Sequence, residues 1–131
     1  MTRELEWIRL EAVHAMHNRQ IAEHGGSGGT RDEGLLQSAL ARPENLFAYG
    51  GDDVDVAALA ASYAFGIAKN HPFLDGNKRT ALVVSVTFLN LNGYDFDATP
   101  AETYAAFLGL AEGTVSEDEL AEWFRKRLFR I

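Results

Sequence analysis

The run Ala81-Leu82-Val83-Val84-Ser85-Val86-Thr87-Phe88-Leu89-Asn90-Leu91 constrains this chain more than any other feature. Wound as a helix, it turns Leu82, Val83, Val84, Val86, Phe88, Leu89 and Leu91 to all sides. A helix that is apolar all round holds in water only when other elements enclose it, and this run is too short to cross a bilayer. The rest of the chain must therefore supply the enclosure. Its periodicity says that it does so with helices.

Leu10 to about Glu23 carries Leu10, Val13, His14, His17 and Ile21 on one face, the spacing of an amphipathic helix. Gly25, Gly26, Gly28 and Gly29 follow in a loop that no Gly-Lys-Ser/Thr completes, so it reads as a flexible connection and not a phosphate-binding P-loop. Thr30-Arg31-Asp32-Glu33 has the form of a capping box and predicts a second helix, closed at Arg42-Pro43. Glu44 to Asp53 is turn-rich. Asp52 or Asp53 is expected to cap a third helix from Val54 to about Asn70. The central helix then spans Gly76 to Asn92, with Gly93 as its stop. Tyr94 to Ala98 reads as a short extended piece. Thr99-Pro100-Ala101-Glu102 opens a fifth helix, and Ser116 to Glu119 a sixth that runs to about Leu128. The expected architecture is an all-α bundle around one buried central helix, a single domain over 1–131.

Composition narrows the classes. An apolar fraction of 47% with 11% aromatics is globular. The first eleven residues are charged and lack the apolar stretch of a signal peptide, and no transmembrane run is present, so a cytoplasmic protein without membrane partners is expected. A net charge of −7 argues against direct nucleic-acid binding. Zero cysteines exclude disulfides and thiolate metal sites. The basic tail (Arg125, Lys126, Arg127, Arg130) reads as charge complementing the end of the sixth helix, whose start carries Glu117, Asp118 and Glu119.

The chemistry lies just before the apolar run, in His71-Pro72-Phe73-Leu74-Asp75-Gly76-Asn77-Lys78-Arg79. A helix opening on Gly-Asn-Lys-Arg offers free N–H groups and the positive end of its dipole to an anion. Lys78 and Arg79 add to that field, and Arg79 suits a bidentate grip on phosphate. Gly76 permits close approach of backbone to a phosphate. Asn77 reads as part of the anion nest, through backbone or amide. Asp75 either caps the helix or holds a metal between phosphates, or does both. His71 is placed to take a proton from an incoming nucleophile. For Lys69 a phosphate contact and plain solvation both stand. Phe73 reads as a core anchor, and His14, His17 and His24 as structural.

The nonapeptide resembles the signature of the Fic/Doc family, His-x-Phe-x-(Asp/Asn/Glu)-(Gly/Ala)-Asn-(Gly/Lys)-Arg. The resemblance runs from about Val13 to about Leu128 and includes Gly29 to Leu36, Ser38 to Pro43 and Lys78 to Leu82. Lys78, where AMP-transferring members have Gly, is similar to the Doc (death on curing) toxins. The resemblance implies the Fic/Doc fold, His71 as the catalytic base toward a target hydroxyl, Asp75 on Mg²⁺, and ATP held by Gly76, Asn77, Lys78 and Arg79. It implies a toxin of a toxin–antitoxin pair that moves the γ-phosphoryl of ATP to a Ser or Thr hydroxyl, by analogy of elongation factor Tu, arresting translation. An AMP-transferase on the same fold and a silent module held by an antitoxin are the alternatives. Family members dock their target peptide on a flap upstream of the motif. Asn45, Phe47 and Tyr49 in the turn-rich segment are the expected contacts, with an ordinary interhelical loop as the other reading. No inhibitory (Ser/Thr)-x-x-x-Glu-(Gly/Asn) helix occurs in the chain, so control by an antitoxin in trans is expected.

Overall fold

A computed structural model describes residues 4–131. The expected domain span of 1–131 includes residues 1–3, which lie outside the described residues. Six helices form: α1 (Leu10–His24), α2 (Glu33–Gly50), α3 (Val56–Asn70), α4 (Asn77–Leu91), α5 (Pro100–Glu112) and α6 (Glu117–Arg125). A 3-10 turn, Gly51–Asp53, links α2 to α3. Two short strands, β1 (Tyr94–Phe96) and β2 (Leu128–Arg130), pair antiparallel with Tyr94 opposite Arg130. The all-α bundle read from the periodicity is the architecture observed.

The helix that the others enclose is α3 rather than α4. Ten of its residues are buried, from Val56 to Ile67, and it packs against α2, α4, α5 and α6. Its many alanines and Gly66 give it a thin profile, so neighbours approach on every side. At Gly66 an added Cβ would lie 3.1 Å from the Cα, Cβ and carbonyl oxygen of Ala39 on α2. The apolar excess of α4 has a different purpose. Ala81, Val84, Phe88 and Leu89 are buried in the bundle, whereas Leu82, Val83 and Val86 are half-buried and wall a cleft.

Helix α2 does not stop at Pro43 but continues to Gly50 with Pro43 inside it. A proline within a helix costs one hydrogen bond and about 3 kcal/mol. The stripe Leu36, Ala39, Leu40, Pro43 and Phe47 faces the bundle through that point, and its burial offsets the loss. Asn45, Phe47 and Tyr49 are therefore helical, not an extended edge. Phe47 packs edge-on against Trp7 at 5.9 Å, Tyr49 is 94% exposed, and none of the three lines the cleft.

Cap positions also differ from expectation. Asp32, not Thr30, caps α2 by accepting from Leu35 N–H, and Asp55, not Asp52 or Asp53, caps α3 through Ala58 N–H. The capping boxes at Thr99/Glu102 and Ser116/Glu119 form as predicted. Helix α6 ends at Arg125 because the chain turns back to pair with β1. Arg125 binds Asp55 and Glu122, Arg127 lies over the Trp123 ring, and Arg130 lies over Tyr94. The basic tail is thus structural, with aromatic faces holding part of its charge. At the other end, Trp7 stacks on Phe88 at 5.7 Å, and Ile8 is buried with its N–H donating to Tyr63 Oη at 3.0 Å.

Candidate functional site

The nonapeptide forms a tight loop between α3 and α4. His71 ends α3 in the left-handed region, at φ 52° and ψ 54°. That conformation is uncommon for a residue with a side chain, and the surrounding structure must hold it. Its N–H donates to Ile67 O at 3.1 Å, and its own carbonyl accepts from Arg31 Nε at 2.7 Å. Arg31 also donates through Nη2 to Asn70 O at 2.8 Å, so one guanidinium clasps the last carbonyls of α3. The exposed imidazole makes no hydrogen bond among the described residues, and it faces the cleft.

The loop is then drawn into the protein. Phe73 is fully buried. Asn77, only 5% exposed, accepts from Phe73 N–H at 3.0 Å through Oδ1 and donates to Phe73 O at 2.9 Å through Nδ2. Its amide is consumed inside the loop, so the nest reading survives only for its backbone N–H. Gly76 takes φ 78° and turns the chain into α4 without any side-chain cap. Asp75 is not that cap. Its Oδ1 accepts from Gly76 N–H at 2.8 Å, and its Oδ2 is a long 3.4 Å from Ser27 N–H.

The glycine-rich segment is a built part of the site and not a slack connection. Leu74 N–H donates to Gly29 O at 3.1 Å, Arg31 N–H donates to Pro72 O at 2.7 Å, and Thr30 bridges Phe73 in antiparallel fashion. At Gly26, with φ 111°, an added Cβ would lie 2.6 Å from Asp75 Oδ2. Only glycine lets this backbone lie against the carboxylate. Its signal in the sequence was the glycine spacing, read there as flexibility.

His17, read as structural, sits directly beneath the turn. It is 1% exposed, its Nε2 lies 2.7 Å from Asp75 O, and its ring stacks on Phe73 at 3.8 Å and 7°. His14 pairs with Glu33 at 3.0 Å.

From this turn a cleft of about 950 Å³ opens between α4, α5 and the β1–α5 connection. One end carries His71, Asp75, Gly76, Asn77, Lys78 and Arg79; the other is apolar, with Leu82, Val83, Val86, Phe96 and Phe107. Lys78 Nζ lies over the Tyr104 ring at 5.1 Å. Arg79 is exposed and makes no ion pair among the described residues. Lys69 lies over Phe65 at 5.4 Å, outside the cleft lining. A polar, cationic mouth on an uncapped helix N-terminus with an apolar floor behind it fits a phosphorylated ligand that has a flat hydrophobic part. Among the described residues no helix is long and apolar enough to cross a membrane.

Residues 7–89 match the Fic/DOC family model. The chain is 32% identical to protein kinase doc of Escherichia phage P1 over 119 residues, which cover 91% of this chain and 93% of that protein. It is 43% identical to toxin Doc of Mycolicibacterium smegmatis over 83 residues, 60% of this chain and 63% of that one. The motif loop, the uncapped helix behind it and these matches agree, and the chain belongs to the Fic/DOC family.

Proposed function

We propose that this protein is a Doc-like toxin that transfers the γ-phosphoryl of ATP to a Ser or Thr hydroxyl of a target protein. The proposed target is elongation factor Tu, and the site of action the cytoplasm. The observation that carries the reading is Lys78. Its ammonium projects from the first turn of α4 into the cleft, over Tyr104, and occupies space that a glycine would leave open. The reading is that a nucleotide then seats its phosphates differently from how it would on a Gly-bearing loop, so that the γ-phosphate meets His71.

Phosphoryl transfer asks mainly for positioning and charge neutralisation. The uncapped N–H groups at the start of α4, with Lys78 and Arg79, supply both. The target hydroxyl gives its proton to the His71 imidazole as its oxygen bonds to the γ-phosphorus; the bond from that phosphorus to the β–γ bridging oxygen breaks, and ADP departs. The Arg31 clasp on the His71 carbonyl keeps the ring aimed at the cleft. One carboxylate beside phosphate oxygens is a donor set that suits Mg²⁺. Asp75, with Oδ2 only weakly engaged, fits that role. The ion, when bound, offsets phosphate charge.

The docking role expected of Asn45, Phe47 and Tyr49 moves to Gly26–Thr30, whose backbone lies alongside the motif loop and pairs with it at Thr30. A target segment pairing beside that backbone would bring its hydroxyl to His71. A cognate antitoxin acting in trans is the proposed regulator. The test is transfer from α- and γ-labelled ATP to purified elongation factor Tu, beside a His71→Ala control. Label from γ alone, lost in the control, is expected. Label from α would overturn the kinase reading in favour of AMP transfer, and label from neither would leave a silent module or another target.

A further inference from the structure

We infer that His17 is a positioning residue, setting the height and direction of the Asp75–Gly76 turn through a single hydrogen bond and a ring stack. This inference deepens the proposed phosphotransfer reading and rests on it for its kinetic consequence. Its geometric content stands separately.

A backbone carbonyl only accepts, so the ring nitrogen 2.7 Å from Asp75 O must donate. Nε2 of His17 therefore carries a proton. The ring cannot slide away, because it lies flat on Phe73 at 3.8 Å and is buried to 1%. Phe73 is itself fixed by the two hydrogen bonds to the Asn77 amide. The turn is thus gripped from two sides, by Asn77 through residue 73 and by His17 through residue 75.

The fit is close. A Cβ at Gly76 would stand 3.6 Å from Nε2 and Cδ2 of His17 and 3.2 Å from Ile21 Cδ1. The turn therefore rests on α1 at these two side chains. What leaves this turn is the catalytic apparatus: the Asp75 carboxylate on one side and the free N–H groups of α4 on the other. A shift of the Asp75 carbonyl would redirect both, and a misplacement of about 1 Å can cost on the order of 100-fold in rate. A donor at the Nε2 position is the requirement, and glutamine can supply one at a similar reach from the backbone.

The experiment compares His17→Leu and His17→Gln with the parent for ATP-dependent label transfer and for thermal stability. His17→Leu is expected to lower kcat by roughly 10- to 100-fold with a smaller change in KM for ATP. His17→Gln is expected to recover most of that loss even if its Tm falls as far as that of His17→Leu. Equal kcat loss in both variants, following stability, would reduce His17 to packing and overturn the inference. Retained kcat in His17→Leu would overturn it also.

If the parent transfers no label, NMR of the same three proteins decides. The inference expects an Nε2-protonated His17 ring in the parent. It also expects inorganic phosphate to shift the Gly76–Arg79 amide signals in the parent and in His17→Gln but far less in His17→Leu. A ring protonated on Nδ1 only, or equal phosphate shifts in all three, would refute it whatever the enzyme does.

Discussion

Replacing Asn77 by Ala separates two uses of an amide that the sequence leaves open. In the structure the side chain is buried and spends both polar atoms on the Phe73 backbone. Removing it orphans one N–H and one C=O in a region that water reaches poorly. Each such group costs about 1–3 kcal/mol, so the two together cost about 2–6 kcal/mol. A domain has about 5–15 kcal/mol in all, and urea slopes run about 1–3 kcal/mol per molar. At a slope of about 2 kcal/mol per molar, the urea midpoint of Asn77→Ala is thus expected to fall by roughly 1–3 M with the slope unchanged. Asn77→Asp keeps an acceptor for Phe73 N–H but sets an oxygen against Phe73 O, and it should recover little. An Asn77→Ala protein with the parental midpoint, impaired only in nucleotide binding, would refute the reasoning, because the amide would then be facing ligand.

Gly66→Ala should destabilise the protein by about 1–2 kcal/mol, since its methyl meets Ala39 backbone at 3.1 Å and helix propensity returns only part of that; an unchanged Tm would show that α2 and α3 can part freely. Burial pushes the Tyr63 phenol up to about 12, whereas an unfolded tyrosine ionises near 10. Between those values the unfolded chain binds fewer protons than the folded one, so the tyrosine contribution is intact below pH 10 and stability falls by about 2 kcal/mol as pH rises toward 12. Urea titrations at alkaline pH check this, and Tyr63→Phe should flatten that slope. Lys78→Gly should raise the fraction of label taken from the α- relative to the γ-position, and an unchanged ratio would remove Lys78 from the choice of phosphorus.

How far the sequence carries is clearest at particular residues. The motif loop and the helix it opens were legible because glycine, cations and the apolar run act locally. The end of α2 is not legible from Pro43 alone, because burial of the stripe Leu36, Ala39, Leu40, Pro43 and Phe47 outweighs the local effect of the proline. Asn45, Phe47 and Tyr49, expected on an extended edge, are helical for the same reason. The glycines of 25–29 look like slack until Asp75 is seen 48 residues away from Ser27 in sequence and beside it in space. Long-range partners of this kind, such as His17 with Asp75 and Arg31 with His71, leave no periodic trace in a single sequence. The apolar face of α4 was visible, but not that part of it walls a cleft. Packing around α3 depends on how small its side chains are, which hydrophobic periodicity does not weigh.

Phosphorus NMR of the reaction with ATP and elongation factor Tu tests the central claim most directly, because it identifies the leaving group without any label. The account predicts ADP accumulating in step with a phosphate ester on the protein, both absent with His71→Ala. Pyrophosphate accumulating in step with an adenylylated protein would contradict it.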